Sequence, residues 1–292
     1  MLGHGKRINA INLRGDFMLH EKIHLNKLYK IEHDPILEIM VPSIDDQYFH
    51  KTSTGILIIP GGGYDMNSKR EGDPVALSFM LKGYCTFILN YTCKVSYPTP
   101  MIEVACAIDY LRKNASKYYL KKDELVLCGF SAGGHLASSY GYLCRHDDFI
   151  KRVDFLAENL IPNALILSYP VITMGKETHL GTKNNITNNG NKELCNLLSV
   201  EKHITKEYPP TFIWTTTEDT IVPYCNSIML VDELNNKGVP NKLITYPFLD
   251  HGKSIGTSLV NDFNVEQEEQ HKEISTWIDK ADSFLKEILK TD

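Results

Sequence analysis

The segment Glu124-Leu125-Val126-Leu127-Cys128-Gly129-Phe130-Ser131-Ala132-Gly133-Gly134-His135 constrains this chain more than any other. A short apolar run ends in Gly-x-Ser-x-Gly, and a small-residue helix pattern follows. That is the sequence form of a strand turning sharply into a helix, with a serine hydroxyl lifted out of the backbone at the turn. Gly129 and Gly133 have no Cβ, so the chain can bend there and the helix can lie close to the strand. Ser131 is therefore the candidate nucleophile, and acyl transfer the implied chemistry.

Such a turn needs a parallel sheet around it, and the rest of the chain supplies the pattern. Candidate strands are Ile36–Val41, Gly55–Pro60, Cys85–Tyr91, Leu125–Gly129, Ala164–Tyr169, Phe212–Thr216 and Lys242–Tyr246. Candidate helices are Pro74–Lys82, Thr99–Ser116, Ala132–Cys144, Pro223–Lys237 and Glu266–Lys290. The alternation predicts an α/β fold, a mostly parallel sheet with helices on both faces. Ile56-Leu57-Ile58-Ile59 and Leu165-Ile166-Leu167 are apolar at every position, as strands covered on both sides are. Asp73-Pro74 predicts a capped helix start.

At 292 residues the chain reads as a single domain, 1–292. One irregular stretch, Thr173–Pro210, interrupts the pattern. It holds the turn-rich run Asn184–Asn191, with a short helix predicted over Lys192–Leu198. Its size suits a lid or site wall; a surface loop without a role is the alternative.

The formal net charge is −5 and no basic run exceeds two residues, which argues against a nucleic-acid partner. Seven scattered cysteines without a Cys-x-x-Cys pair suggest neither a zinc site nor a disulfide framework, and suit a reducing compartment. No run of about 18 apolar residues occurs, so no membrane partner is expected. Met1–Asn9 has no apolar run after its two basic residues, so no secretory signal is expected and the cytoplasm is the default location. An edge strand or the 173–210 stretch would be the surface on which a homo-oligomer pairs.

Acyl transfer requires a base for the serine proton and a group that orients the base, and in folds with this turn they follow in the order Ser, acid, His. The strand Phe212–Thr216 runs into Thr217-Glu218-Asp219, carboxylates at the end of a parallel strand where ligand groups gather. The next strand runs into Pro247-Phe248-Leu249-Asp250-His251-Gly252. Asp219 is the candidate acid and His251 the candidate base, with Glu218 the alternative acid. Asp250 adjoins His251, but neighbours on an extended chain point apart. Of the eleven histidines, only His251 follows the acid at a strand end; His135 is read as structural and His271, in a charged run, as solvated. Gly61-Gly62-Gly63-Tyr64 closes another strand. The N–H groups of Gly62 and Gly63, with that of Ala132, are the candidate donors to an oxyanion. A phosphate loop is the competing reading; no Gly-Lys-Ser/Thr follows, and the spacing is not Gly-x-Gly-x-x-Gly. Tyr64 and Tyr91, each closing a strand on this side, are expected to line the substrate site. The mechanism calls for no cofactor and no metal.

These residues resemble the bacterial acetyl-xylan-esterase-like α/β-hydrolases, relatives of the hormone-sensitive-lipase type. The resemblance rests on Pro60-Gly61-Gly62-Gly63-Tyr64, Ser68-x-Arg70-Glu71-Gly72-Asp73-Pro74, Leu89-Asn90-Tyr91, Gly129–Ala137, Ser168–Ile172 and Asp219-x-x-Val222-Pro223-x-x-Asn226-Ser227. It covers about Ile56 to Gly252. It implies an α/β-hydrolase fold and a carboxylesterase favouring short acyl groups, some members of the family removing acetyl groups from xylose oligomers or other sugars. It also implies triad roles for Ser131, Asp219 and His251. Two positions depart from relatives: Pro60 replaces the histidine of the lipase-like branch, and Lys253 stands where an apolar residue usually follows His-Gly. The alternatives are a serine peptidase of the prolyl-oligopeptidase kind, for whose large extra domain the chain has no room, and a binding protein on a hydrolase fold.

Overall fold

The structure is a computed structural model describing residues 18–42, 52–262 and 264–290. The segment Met1–Asn9, read above for a secretory signal, lies outside them.

The described residues form one eight-stranded sheet in the order β1-β2-β4-β3-β5-β6-β7-β8. The strands are β1 Met18–His24, β2 Ile36–Pro42, β3 Ser53–Ile59, β4 Cys85–Asn90, β5 Leu120–Phe130, β6 Ala164–Ser168, β7 Thr211–Thr216 and β8 Asn241–Tyr246. β1 and β2 pair antiparallel with their neighbours; all other pairs are parallel. The sheet begins one strand earlier than the pattern predicts, at Met18. β5 also starts earlier, at Leu120, with a register shift against β3 between Ser53 and Gly55.

The helices are α1 Asp73–Met80, α2 Thr99–Lys113, α3 Ala132–Leu143, α4 Asp147–Arg152, α5 Leu180–Ile186, α6 Lys192–Leu197, α7 Cys225–Asn236, α8 Glu268–Ser275 and α9 Trp277–Leu289. Asp73 is not the cap of α1 but its first residue; Gly72 precedes it, and no side chain caps the end. The predicted C-terminal helix is two helices, which part at Thr276.

The sheet is buried on both faces, and the alternation within each strand sorts the core into two layers. Leu57, Leu127, Leu165, Leu167 and Ile213 pack in one cluster with Leu136 and Ala137 of α3 and Val104 of α2. Their neighbours Ile56, Ile58, Val126, Cys128, Ile166, Phe212 and Trp214 pack in the other with Phe79 of α1 and Trp277 of α9. Trp277 lies beside Trp214, ring centroids 5.5 Å apart, and its Nε1–H donates to Ser254 O at 2.8 Å. The last helix is thereby tied to the loop after β8. His271, expected in solvent, is 2 % exposed: α8 turns its face with His271 and Ile274 inward, and the charged residues of the run occupy the other face.

Candidate active site

Ser131 stands between the end of β5 and the first residue of α3, at φ 52° and ψ −117°. A non-glycine residue at positive φ is strained and persists only where its surroundings fix it. Here the Ser131 N–H donates to Ser168 O at 3.0 Å, and Ser131 O accepts from the N–H groups of His135 and Val171. The motif glycines are required by contact. A Cβ on Gly129 would lie 2.4 Å from Gly133 O, and one on Gly133 would lie 2.1 Å from Ile59 O.

The loop after β8 carries His251 to this turn. Its Nε2 is 2.9 Å from Ser131 Oγ and its Nδ1 is 2.6 Å from Asp219 Oδ2. A carboxylate only accepts, so Nδ1 carries the proton and Nε2 is left to accept from the serine hydroxyl. The other Asp219 oxygen accepts from the N–H groups of Ile221 (3.0 Å) and Val222 (2.7 Å), which aim the carboxylate at the ring. Ser131 and Asp219 are each 7 % exposed. Glu218 is exposed. Asp250 instead accepts from the N–H groups of Thr220 and His251. Burial works against its charge, but these donors outweigh that and hold its carboxyl below the usual range. Asp250 thus ties the acid loop to the base loop.

The glycine loop lies across from this pair. Gly62 (φ 121°) and Gly63 (φ 67°) are both in left-handed conformations, and a Cβ on Gly62 would meet Met66 O at 2.2 Å. The N–H of Gly61 is taken by Glu71 Oε2 at 2.8 Å. Those of Gly62 and Gly63 have no acceptor among the described residues. Ala132 begins α3, where a first-turn N–H has no partner within its helix. Gly62, Gly63, Ser131 and His251 share a cavity of about 700 Å³.

Tyr64 and Tyr91 do not line that cavity. Both are buried, at 0 % and 2 % exposure. Tyr91 donates to Pro60 O at 3.1 Å, and Tyr64 donates to His135 Nδ1 at 2.9 Å. His135 Nε2 faces Leu198 O at 2.9 Å and must carry the proton there, which leaves Nδ1 to accept. Burial pushes this histidine down to about 4. The two tyrosines support the glycine loop from behind, and His135 is structural, as the sequence suggests. Lys253 is likewise absent from the cavity wall; its charge acts instead on His271.

Two residues with no assigned role in the sequence reading shape the site. Glu71 is 3 % exposed. Besides Gly61 it accepts from the Tyr169 hydroxyl at 2.8 Å, and that hydroxyl accepts from the Ser254 N–H at 3.1 Å. One carboxylate thus connects the glycine loop, the end of β6 and the base loop. The Tyr169 ring also sits edge-on to His251, 4.8 Å between centroids. Within the resemblance motif Glu71 stands beside Arg70 and Gly72, and nothing local marks it as buried. His179, from the 173–210 stretch, joins the cavity wall with Gly181 and Asn185. Its Nδ1 accepts from the Thr182 N–H at 3.2 Å and caps α5. Burial and then the nearby His251 push its pKa down, against the pull of Asp219.

The sequence profile of the BD-FAE family matches residues 37–234. The chain belongs to this family. Ser131 and Asp219 fall inside the matched span and His251 beyond it. Among individual proteins, endo-1,4-beta-xylanase B of Butyrivibrio fibrisolvens is 36 % identical over 208 residues, 68 % of this chain and 32 % of that protein. The acetylxylan esterase of Xylanibacter ruminicola is 29 % identical over 213 residues, 69 % of this chain and 41 % of that one. The matched part of the chain therefore spans about a third to two fifths of these relatives' length. The crystal structure of an acetyl ester-xyloside bifunctional hydrolase from Caldicellulosiruptor lactoaceticus superimposes with a TM-score of 0.73 at 28 % identity, over 89 % of this chain and 96 % of that one. The fold is that of the α/β-hydrolases.

Proposed function

We propose that this family member is a serine carboxylesterase that hydrolyses short-chain acyl esters, with acetylated sugars and xylo-oligosaccharides as its substrate class. The observation that carries the proposal is the continuous line from Ser131 Oγ through His251 to the buried Asp219, at 2.9 and 2.6 Å. In this mechanism His251 Nε2 takes the Ser131 proton as Oγ attacks the ester carbonyl. Asp219 holds the tautomer and stabilises the imidazolium. The free N–H groups of Gly62, Gly63 and Ala132 receive the oxyanion. His251 then protonates the departing alcohol, and water repeats the steps on the acyl-enzyme. The sugar is suggested by the names of the acetylxylan esterase and the xyloside hydrolase.

The 173–210 stretch serves in this proposal as the site wall of a single domain, since His179, Gly181 and Asn185 border the cavity. Among the described residues no helix is long and apolar enough to cross a membrane. Seven free thiols accord with a reducing, cytoplasmic setting.

The test is acetate release from acetylated xylose oligomers beside hydrolysis of p-nitrophenyl acetate, butyrate and octanoate, with Ser131→Ala as control. Release that falls to background in Ser131→Ala is the expected result. Turnover of the aryl esters alone would remove the sugar from the proposal, and silence on every ester would remove the esterase.

A further inference from the structure

The catalytic cavity has a neighbour. A second cavity of about 440 Å³ opens between the loop leading into α2 and the asparagine-rich end of α5. One wall carries Ser96 and Thr99, and the other Asn184, Asn188 and Asn189. The two cavities meet at Asn185, which lines both. They also meet at the ion pair between Asp65, on the catalytic side, and Lys94, on the other, at 3.2 Å. Both partners are well exposed, and such a pair adds little stability and opens readily.

The second cavity is built before any ligand arrives. The Asn185 Nδ2–H donates to Gly63 O at 2.9 Å, so the saddle is fixed to the glycine loop. The Tyr97 N–H donates to Ile186 O at 3.0 Å and joins the two walls at their base. The Asn189 N–H donates to Asn184 O at 2.8 Å, and Asn188 and Asn189 hold left-handed conformations. The side-chain amides of Asn184, Asn188 and Asn189 have no partner among the described residues.

The chemistry of the lining selects the ligand. Lys94 is its sole charged group, and Asp65 stands 3.2 Å from it, so the two charges offset each other and little net positive charge draws a phosphate or carboxylate there. Amides donate and accept at once, as sugar hydroxyls do. We infer that this cavity is a second sugar subsite, which holds the unesterified units of an oligosaccharide whose acetylated unit sits at Ser131. The inference rests on the proposed sugar esterase, but binding tests it without catalysis.

The experiment is calorimetric titration of xylose and of unacetylated xylotetraose into the wild-type chain and into Asn184→Ala/Asn188→Gly. Glycine accepts the positive φ at 188 and alanine suits the helix at 184, so the pair removes two amides without strain. Wild type should bind xylotetraose at least about 10-fold tighter than xylose. The double variant should lose about 10-fold for the tetraose, as two lost hydrogen bonds imply, and nothing for p-nitrophenyl acetate hydrolysis. Ser96→Ala, on the opposite wall, should weaken the tetraose in the same direction and checks the result independently of the turn. Equal binding of xylose and xylotetraose, no measurable tetraose binding, or unchanged binding in both variants would overturn the subsite. Tetraose binding without any acetate release would count against the sugar esterase and leave the subsite standing.

Discussion

Asp219 and Glu71 are both buried carboxylates of the site, and their partners separate their work. Asp219 faces His251, so Asp219→Asn keeps the shape but offers an amide to a ring nitrogen that carries a proton. The expected outcome is a folded protein with turnover lower by on the order of 10⁴-fold. Near-wild-type turnover in Asp219→Asn would transfer the acid role to the exposed Glu218. Glu71 touches no reacting atom; it accepts from Gly61 and from Tyr169, whose hydroxyl is already an acceptor for Ser254. In Glu71→Gln the new amide donor meets a hydroxyl whose own proton then lacks an acceptor, a buried defect of about 1–3 kcal/mol. Its loss should appear both as a lower melting temperature and as a kcat/KM reduced by roughly 10-fold, because the glycine loop and base loop are freed together. Wild-type kcat/KM in this variant would show that the network supports stability alone.

At the scale of elements, the parts of the site that a strand end presents were legible. Ser131, Asp219 and His251 each follow a recognisable apolar run, and their chain order narrows eleven histidines to one. Elements whose signal is weak were not. β1 is an edge strand carrying His20, Glu21 and Lys22, so its alternation is shallow. The break between α8 and α9 falls at Thr276, with no glycine or proline to announce it. Tyr64 and Tyr91 lie under the glycine loop and not in the cavity wall, because a residue closing a strand at the rim can turn either into the cavity or under it, and packing decides. α5 was hidden in an asparagine-rich run, and its cap is a histidine rather than the usual serine, threonine, aspartate or asparagine. That cap gives a clean test of the wall. His179→Asn should keep α5, because an asparagine oxygen can accept from the Thr182 N–H, but it removes the imidazole from the cavity wall. The melting temperature should then hold while kcat/KM for acetylated xylose falls about 3- to 10-fold, the value of one hydrogen bond. An unchanged kcat/KM would reduce His179 to a cap.

At the scale of the whole molecule, Glu103 and His135 are buried titrating groups whose effects on stability oppose each other. Glu103 of α2 is 1 % exposed and accepts from the Thr92 N–H and hydroxyl at 2.7 and 2.6 Å. Burial raises it from 4.5 to about 7 despite those donors. Between these values the native state holds more protons than the unfolded chain, so this group makes stability fall as pH rises. His135 is lowered from 6.5 to about 4. Between those values the unfolded chain holds more protons, so this group makes stability rise with pH. The windows overlap from about pH 4.5 to 6.5, and each slope approaches about 1.4 kcal/mol per pH unit at most. The two contributions largely cancel in the wild-type chain. Glu103→Gln keeps an oxygen for the Thr92 N–H, presents its amide to the part-buried Thr92 hydroxyl, which can turn to accept from it, and removes the titration, so it should expose the His135 slope. Urea midpoints measured at half-unit steps from pH 4.5 to 6.5 should climb more steeply with pH in Glu103→Gln than in wild type. Above pH 7, where Glu103 is charged, the variant should be the more stable of the two. Parallel curves would mean that Glu103 is ionised throughout, its two threonine donors having outweighed its burial.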